Sequence, residues 1–195
     1  MKSGDIETIE IRLLLDTIFL RYGYDFRGYA KASIRRRILQ FMKMSGTACI
    51  SDMIPRLIHD ESYFEKMVME FSITVTEMFR DPSLFLTLRQ KVLPLLKSHP
   101  FIKVWHAGCA TGEEAYSLAI LIHEEALDKR TTFFATDFND NALKKAKEGI
   151  LELECAKQYS QNYQLSGGKG SFSDYYHARY GALAIKRDLK EKITF

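Results

Sequence analysis

The run His106-Ala107-Gly108-Cys109-Ala110-Thr111-Gly112-Glu113-Glu114-Ala115-Tyr116-Ser117 constrains this chain more than any other stretch. It follows the apolar run Phe101 to Trp105 and leads into an apolar helical pattern. A second strand-like run, Thr131 to Thr136, ends on Asp137. The order strand, glycine turn, helix, strand, acid predicts a unit that holds a nucleoside-bearing ligand at the carboxyl ends of parallel strands. Glycines let the backbone approach that ligand, and an acid ending the second strand accepts hydrogen bonds from ribose hydroxyls.

The turn reads Gly108-x-Ala110-x-Gly112, a degenerate glycine fingerprint, so its flanking residues decide what it can hold. Glu113 and Glu114 stand where a dinucleotide site would present a helix N-terminus to pyrophosphate. Carboxylates there repel phosphate and suit a cationic ligand. S-adenosylmethionine (SAM) carries an ammonium, a sulfonium and no phosphate, so the acid-rich turn favours SAM over NAD and disfavours a nicotinamide-dependent oxidoreductase. A plain helix N-terminus, where acids complement the helix dipole, is the alternative reading of the same two glutamates.

At 195 residues and 46% hydrophobic, the chain is long enough for one or two domains with a real core. Its net charge of +3 does not support a general nucleic-acid binder. No run of 18 apolar residues and no secretory leader is visible, so no membrane insertion and a cytoplasmic location are expected. Cys49, Cys109 and Cys155 are widely spaced, with no metal or redox pattern. Cys109 reads as a small residue packed near backbone rather than a nucleophile, and His106 as a strand-end packing residue.

The predicted fold class is α/β: an N-terminal all-helical domain, residues 1–72, a linker and connecting helix, 73–98, and a Rossmann-like SAM-binding domain, 99–195. The first part carries helical periodicity over about 5–21, at Ile34, Ile38, Phe41, Met42 and Ser45, and at Phe64, Met67, Val68 and Phe71. Ser51 is expected to cap a helix bearing Ile54, Leu57 and Ile58, with Pro55 tolerated in its first turn. Ser72, Thr74 and Thr76 alternate with Ile73 and Val75 as in an extended segment. Asp81-Pro82 then starts a helix expected to align Phe85, Leu88, Val92 and Leu95 on one face. Asn139 is expected to cap a helix holding Ala142, Leu143 and Ala146 that Gly149 stops. From Leu151 the pattern weakens. Gly167 to Ser171 reads as a loop without phosphate-loop spacing, and Ile193-Thr194-Phe195 as the start of a strand.

Three motifs in order, Thr74-Val75-Thr76-Glu77-Met78-Phe79-Arg80-Asp81-Pro82, Trp105 to Ser117, and Ala135-Thr136-Asp137, together with the helical N-terminal part, make the chain resemble the CheR-type chemotaxis-receptor methyltransferases. The resemblance spans nearly the whole chain and is weakest beyond Gly149. It implies methyl transfer from SAM to glutamate side chains on the cytoplasmic helices of chemoreceptors, giving γ-glutamyl methyl esters and S-adenosylhomocysteine. It also implies a helical domain that faces the substrate. Thr74 stands where the family usually has Asn, which shortens the side chain and removes the amide. Ala115 replaces the Pro that more often follows the two glutamates.

By this resemblance Arg80 lies beside the reacting centre, where its planar guanidinium suits an acceptor carboxylate; an ion pair with Asp81 or a packing contact is the plainer role. Thr76, with Thr74 and Arg80, would contact the cofactor. Gly108 would belong to the cofactor turn, Glu114 and less directly Glu113 would meet the SAM ammonium, and Asp137 would hold the ribose or cap the next helix. A glutamate acceptor is already ionised, so the chemistry requires positioning and electrostatics more than a strong base. Lys31, Arg35, Arg36 and Arg37 form a basic cluster, with Lys31 and Arg35 read as opposite Ile34 and Ile38. It is either a solvated face or a docking surface for acidic receptor helices.

Family members continue through further strands after a segment like Ile193-Thr194-Phe195, and those strands carry adenine-side contacts. The expectations are therefore that this chain binds SAM weakly or not at all and that an exposed sheet edge invites self-association. The alternative function is a non-catalytic, methyltransferase-like binding module in a signalling pathway.

Overall fold

The computed structural model describes residues 3–71, 76–179 and 181–195. They form two compact units, Met1–Ile73 and Thr74–Phe195. Thr74, with Ser72, Ile73 and Val75 of the segment read as extended, lies outside the described residues.

The first unit is a bundle of four helices: α1 (Ser3–Tyr22), α2 (Lys31–Ser45), α3 (Met53–His59) and α4 (Glu61–Phe71). Each carries apolar residues at three- and four-residue spacing, the condition for burying one stripe of a 3.6-residue helix. Leu14 and Ile18, Ile34, Ile38 and Phe41, Met53 and Leu57, and Phe64, Met67 and Phe71 meet in one core. The Tyr22 ring stacks on Phe64 at 3.6 Å between centroids. Gly46 ends α2 in a left-handed conformation with φ 66°, so that its N–H and that of Thr47 close the last turn. Ser51 does not cap α3. Asp52 precedes that helix, and the Ser51 hydroxyl and N–H are both drawn to Glu10 of α1.

In the second unit, β1 (Ile102–Ala107), β2 (Thr131–Thr136) and β6 (Ile193–Thr194) form a parallel sheet in the order β1-β2-β6. β1 and β2 run in register from Ile102 opposite Thr131 to Ala107 opposite Thr136. The crossover between them is α7 (Glu113–Glu124), which buries Ala115, Tyr116, Ala119 and Ile120. α8 (Asp140–Glu148) follows β2. The Asn139 side chain accepts from the N–H groups of Asn141 and Ala142, and Gly149 ends the helix at φ 62°.

The helix after Asp81 departs from the expected face. α5 (Pro82–Thr87) passes through a π-helical turn, Leu88–Val92, into α6 (Leu93–Leu96). A π turn adds one residue to the helical repeat. The buried face therefore runs through Phe85 and Leu93, with Leu88 and Leu96 packed beside them, while Val92 and Leu95 are exposed.

Beyond Gly149 the chain builds a second, antiparallel sheet in the order β3-β5-β4 from β3 (Ile150–Glu152), β4 (Tyr176–Arg179) and β5 (Ala182–Ile185). α9 (Ala156–Leu165) lies between β3 and β4, and α10 (Arg187–Lys190) leads into β6. None of these strands exceeds four residues, and β4 exposes three of its four, too short for period-two alternation to register in the sequence. No described helix is long and apolar enough to cross a membrane.

Candidate cofactor and acceptor site

The parallel register brings the ends of β1 and β2 side by side, so the turn after β1 and the acid after β2 meet. The N–H groups of Gly108 and Cys109 both donate to the Thr136 carbonyl, at 2.8 and 3.0 Å. The turn then needs left-handed backbone at Gly108 (φ 75°), Ala110 (φ 49°) and Gly112 (φ 96°). Gly112 is doubly required, since a Cβ there would lie 3.0 Å from the Cβ of Ala146 on α8. Ala110 holds a conformation that L-residues avoid, and its N–H is fixed by a 2.8 Å bond to Asp137 Oδ2.

Asp137 thus has a structural task that the sequence reading did not assign. Its Oδ2 ties down the turn, and its Oδ1 accepts from the Asn139 N–H at 2.8 Å. Asn139, not Asp137, caps α8. Each Asp137 oxygen takes one of these backbone N–H groups and has acceptor capacity for more. The carboxylate is half-buried beside the turn, where adjacent hydroxyls of a ribose could donate to it.

Glu113 and Glu114 open α7. Thr111 Oγ1 donates to Glu113 Oε2 at 2.6 Å, and burial pushes the Glu113 carboxyl above its ordinary value despite that bond. Glu114 is more exposed and faces His106 Nε2 at 3.7 Å, so the strand-end histidine sits against this acid. Cys109 is buried, and burial with the Asp137 charge pushes its thiol up to about 11, which leaves it unreactive. Tyr116 fixes α7 to α8 through a 2.6 Å bond from its hydroxyl to the Ala146 carbonyl.

The segment bearing Thr76 and Arg80 is anchored to the same helix. Phe79 takes a left-handed conformation (φ 52°) and its N–H donates to Ser117 Oγ at 2.8 Å. Ser117 in turn donates to the Glu113 carbonyl at 2.7 Å. Asn162 Nδ2 donates to the Met78 carbonyl at 3.1 Å, and the Phe79 ring packs edge-on against Phe85, Tyr163 and Phe172. Met78 and Phe79 are buried, and Arg80 emerges directly after them, exposed. Sequence reasoning missed Ser117 and Asn162. The one available signal was a serine inside the otherwise apolar run Ala115 to Ile122.

The basic cluster of the first unit is divided. Arg35 pairs through two nitrogens with Glu7 of α1, and Arg37 Nη1 donates to the Glu70 carbonyl of α4 at 2.8 Å. Lys31 and Arg36 are exposed. Ile34 does not lie opposite Lys31 and Arg35: successive helical residues turn by only 100°. It lines, with both of them and with Ile11, Arg12 and Leu15, a cavity of about 760 Å³ between α1 and α2.

The geometry gathers Gly108, Glu113, Glu114 and Asp137 at the ends of two parallel strands, and the segment that carries Arg80 is tied through Phe79 to Ser117, one turn further along α7. Residues 74–195 match the family model described as "CheR methyltransferase, SAM binding domain", and residues 9–72 match "CheR methyltransferase, all-alpha domain". A Pseudomonas putida protein named "Putative methyltransferase Cher3" is 46% identical over all of this chain, which spans 71% of that protein. The "Chemotaxis protein methyltransferase" of Listeria monocytogenes is 30% identical over 71% of this chain and 54% of its own length. The "Chemotaxis protein methyltransferase 1" of Pseudomonas aeruginosa is 29% identical over 83% of this chain and 61% of its own length. This chain belongs to the CheR methyltransferase family.

Proposed function

We propose that this chain acts in SAM-dependent methylation of glutamate side chains on the cytoplasmic helices of chemoreceptors, within the cytoplasm, with S-adenosylhomocysteine as the cofactor product. The observation that carries the reading is the coupling of Asp137 to the strained turn at Ala110. An acid that only capped the next helix would have no reason to hold that turn. SAM supplies a methyl group on an electrophilic sulfonium. Asp137 accepts from the ribose hydroxyls, while Glu113 and Glu114, at the helix start, offer negative charge to the ammonium. Thr76 contributes a hydroxyl to the cofactor from the anchored segment, and Thr74 is assigned the same role by the resemblance alone. Arg80 presents its fork of donors to the acceptor carboxylate and holds it in line with the methyl, which is positioning rather than proton transfer. On the helical unit, Lys31 and Arg36 remain as exposed cations for an acidic receptor helix, joined by Arg35 where its pair with Glu7 opens to solvent.

The test is transfer of labelled methyl from SAM to a receptor cytoplasmic fragment, with base-labile label as the ester signature. Arg80→Ala is expected to lower turnover at least tenfold while leaving S-adenosylhomocysteine binding within about twofold, as loss of a group acting on the acceptor should. S-adenosylhomocysteine binding with no transfer to any glutamate-bearing receptor helix would favour the non-catalytic binding module instead.

A further inference from the structure

α1 is apolar on more than one side. Leu14, Leu15 and Ile18 serve the core of the helical unit, yet Ile6, Ile9, Leu13 and Leu20 are 47%, 48%, 50% and 81% exposed. At 100° per residue these four fall within a strip about 60° wide, spaced by three, four and seven residues as in a coiled-coil seam. A helix that is apolar on two sides calls for a partner on the second.

We infer that this strip is the contact between two copies of this chain, with α1 packed antiparallel on α1 of the second copy about a two-fold axis through Leu13. The spacing is symmetric about that residue. Ile6 and Leu20 each lie seven residues away, so an antiparallel copy places Ile6 opposite Leu20, and Ile9 opposite Thr17, as a self-complementary interface requires. The charges flanking the strip are self-complementary too. Arg12 and Asp16 lie on the same side of it, and reversal of the second helix brings Arg12 of one copy beside Asp16 of the other. Within one copy Arg12 already pairs with Asp16 at 3.9 Å, its side chain 85% exposed, and Asp16 also accepts from Arg27 Nη1 at 3.4 Å, which leaves Arg12 the looser partner. Glu10 flanks the other side but is turned toward Ser51, which donates to it through N–H and hydroxyl. The exposed cations proposed for the receptor, Lys31 and Arg36, lie on α2 and not on this strip. A 20-residue helix is about 30 Å long, a contact smaller than the roughly 800 Å² per partner of a standard interface, so the dimer is expected to be concentration-dependent.

Sedimentation equilibrium of the whole chain over a wide concentration range tests this. The mass is expected to climb from monomer toward dimer. Leu13→Glu, and independently Leu20→Glu, should hold it at monomer with the circular dichroism spectrum unchanged, because both side chains point away from the core. Arg12→Glu should raise the dissociation constant about tenfold, as two symmetry-related surface ion pairs are lost. A chain that stays monomeric at the highest concentration overturns the inference. So does a dimer that survives both glutamate substitutions, which would point to pairing along the sheet edge at β1.

Discussion

Helix α7 carries a pair of glutamates at each end, and the pairs live in opposite environments. Glu113 and Glu114 begin the helix, where the dipole favours negative charge. Their partners among the described residues are few: Thr111 for one and His106 for the other. Glu124 and Glu125 end it, where the dipole opposes them, and they are surrounded. Arg89 reaches both from the π-helical turn, Lys97 and Lys169 bind Glu125 at 2.8 and 2.7 Å, and the hydroxyls of Tyr163 and Tyr175 donate to Glu124. Burial alone would raise the Glu125 carboxyl, but hydrogen bonds from Lys169, Lys97 and Arg89 bring it down to about 2. For Glu113 burial prevails and its carboxyl is held above the ordinary range. One pair is satisfied by the protein and fastens the helix. The other keeps capacity for a cation from outside.

The sharpest break in that comparison is Arg89→Ala. It takes a guanidinium from two buried carboxylates that keep their other partners, so the loss is expected at the low end of the about 3–5 kcal/mol that removing one partner of a buried ion pair costs. Urea denaturation should show that loss with the cofactor turn intact in the surviving folded fraction, and a loss below about 1 kcal/mol would mean Lys97, Lys169 and the tyrosines suffice. Asp137→Ala comes next. Hydrogen bonds to a charged group contribute about 1.5–3 kcal/mol, so S-adenosylhomocysteine affinity should fall at least tenfold, read by calorimetric titration.

Acid titration separates the two pairs by sign. Glu125 and Asp128, the latter brought to about 2 mainly by the hydrogen bond from Lys192, are charged in the folded state at pH values where the unfolded chain takes up protons. The stability they give is present above their ordinary values, 4.5 and 3.8, and is lost as pH falls toward 2. Glu113 acts the other way. Its raised value means the folded state keeps a proton that the unfolded state has released, so its contribution to stability falls as pH rises through the window above 4.5 and its ionised form is a standing cost at neutral pH. The smallest expected effect follows: Glu113→Gln should leave the melting temperature at pH 7 unchanged or slightly higher, by less than about 1 kcal/mol of stability, while weakening cofactor binding. A clear loss of stability would place Glu113 with the structural pair.

The parallel unit was legible because its signals are local: β2 spans the expected residues, and Asn139 and Gly149 bound α8 as their cap chemistry requires. The face of the helix after Pro82 was not, because a π turn inserts one extra residue into a repeat that the sequence pattern presents as regular. The antiparallel sheet was invisible because strands of three and four residues are fixed by their partners rather than by their own pattern. In the site, the residue types pointed to the turn and the acid but not to their bond, since the strain at Ala110 appears only once β1 and β2 are paired. The basic run on α2 is divided in a way that its continuity hides: Arg35 and Arg37 are held by acceptors on two different helices.

The most direct test of the account is a titration of the chain and of Asp137→Ala with S-adenosylhomocysteine, followed by ligand-observed NMR, which detects weak binding. The account expects binding weaker than micromolar to the chain itself, with the signal lost or weakened at least tenfold by Asp137→Ala. Equal binding by both, or none by the chain even at millimolar ligand, would contradict the claim that the Asp137-held turn is the cofactor site.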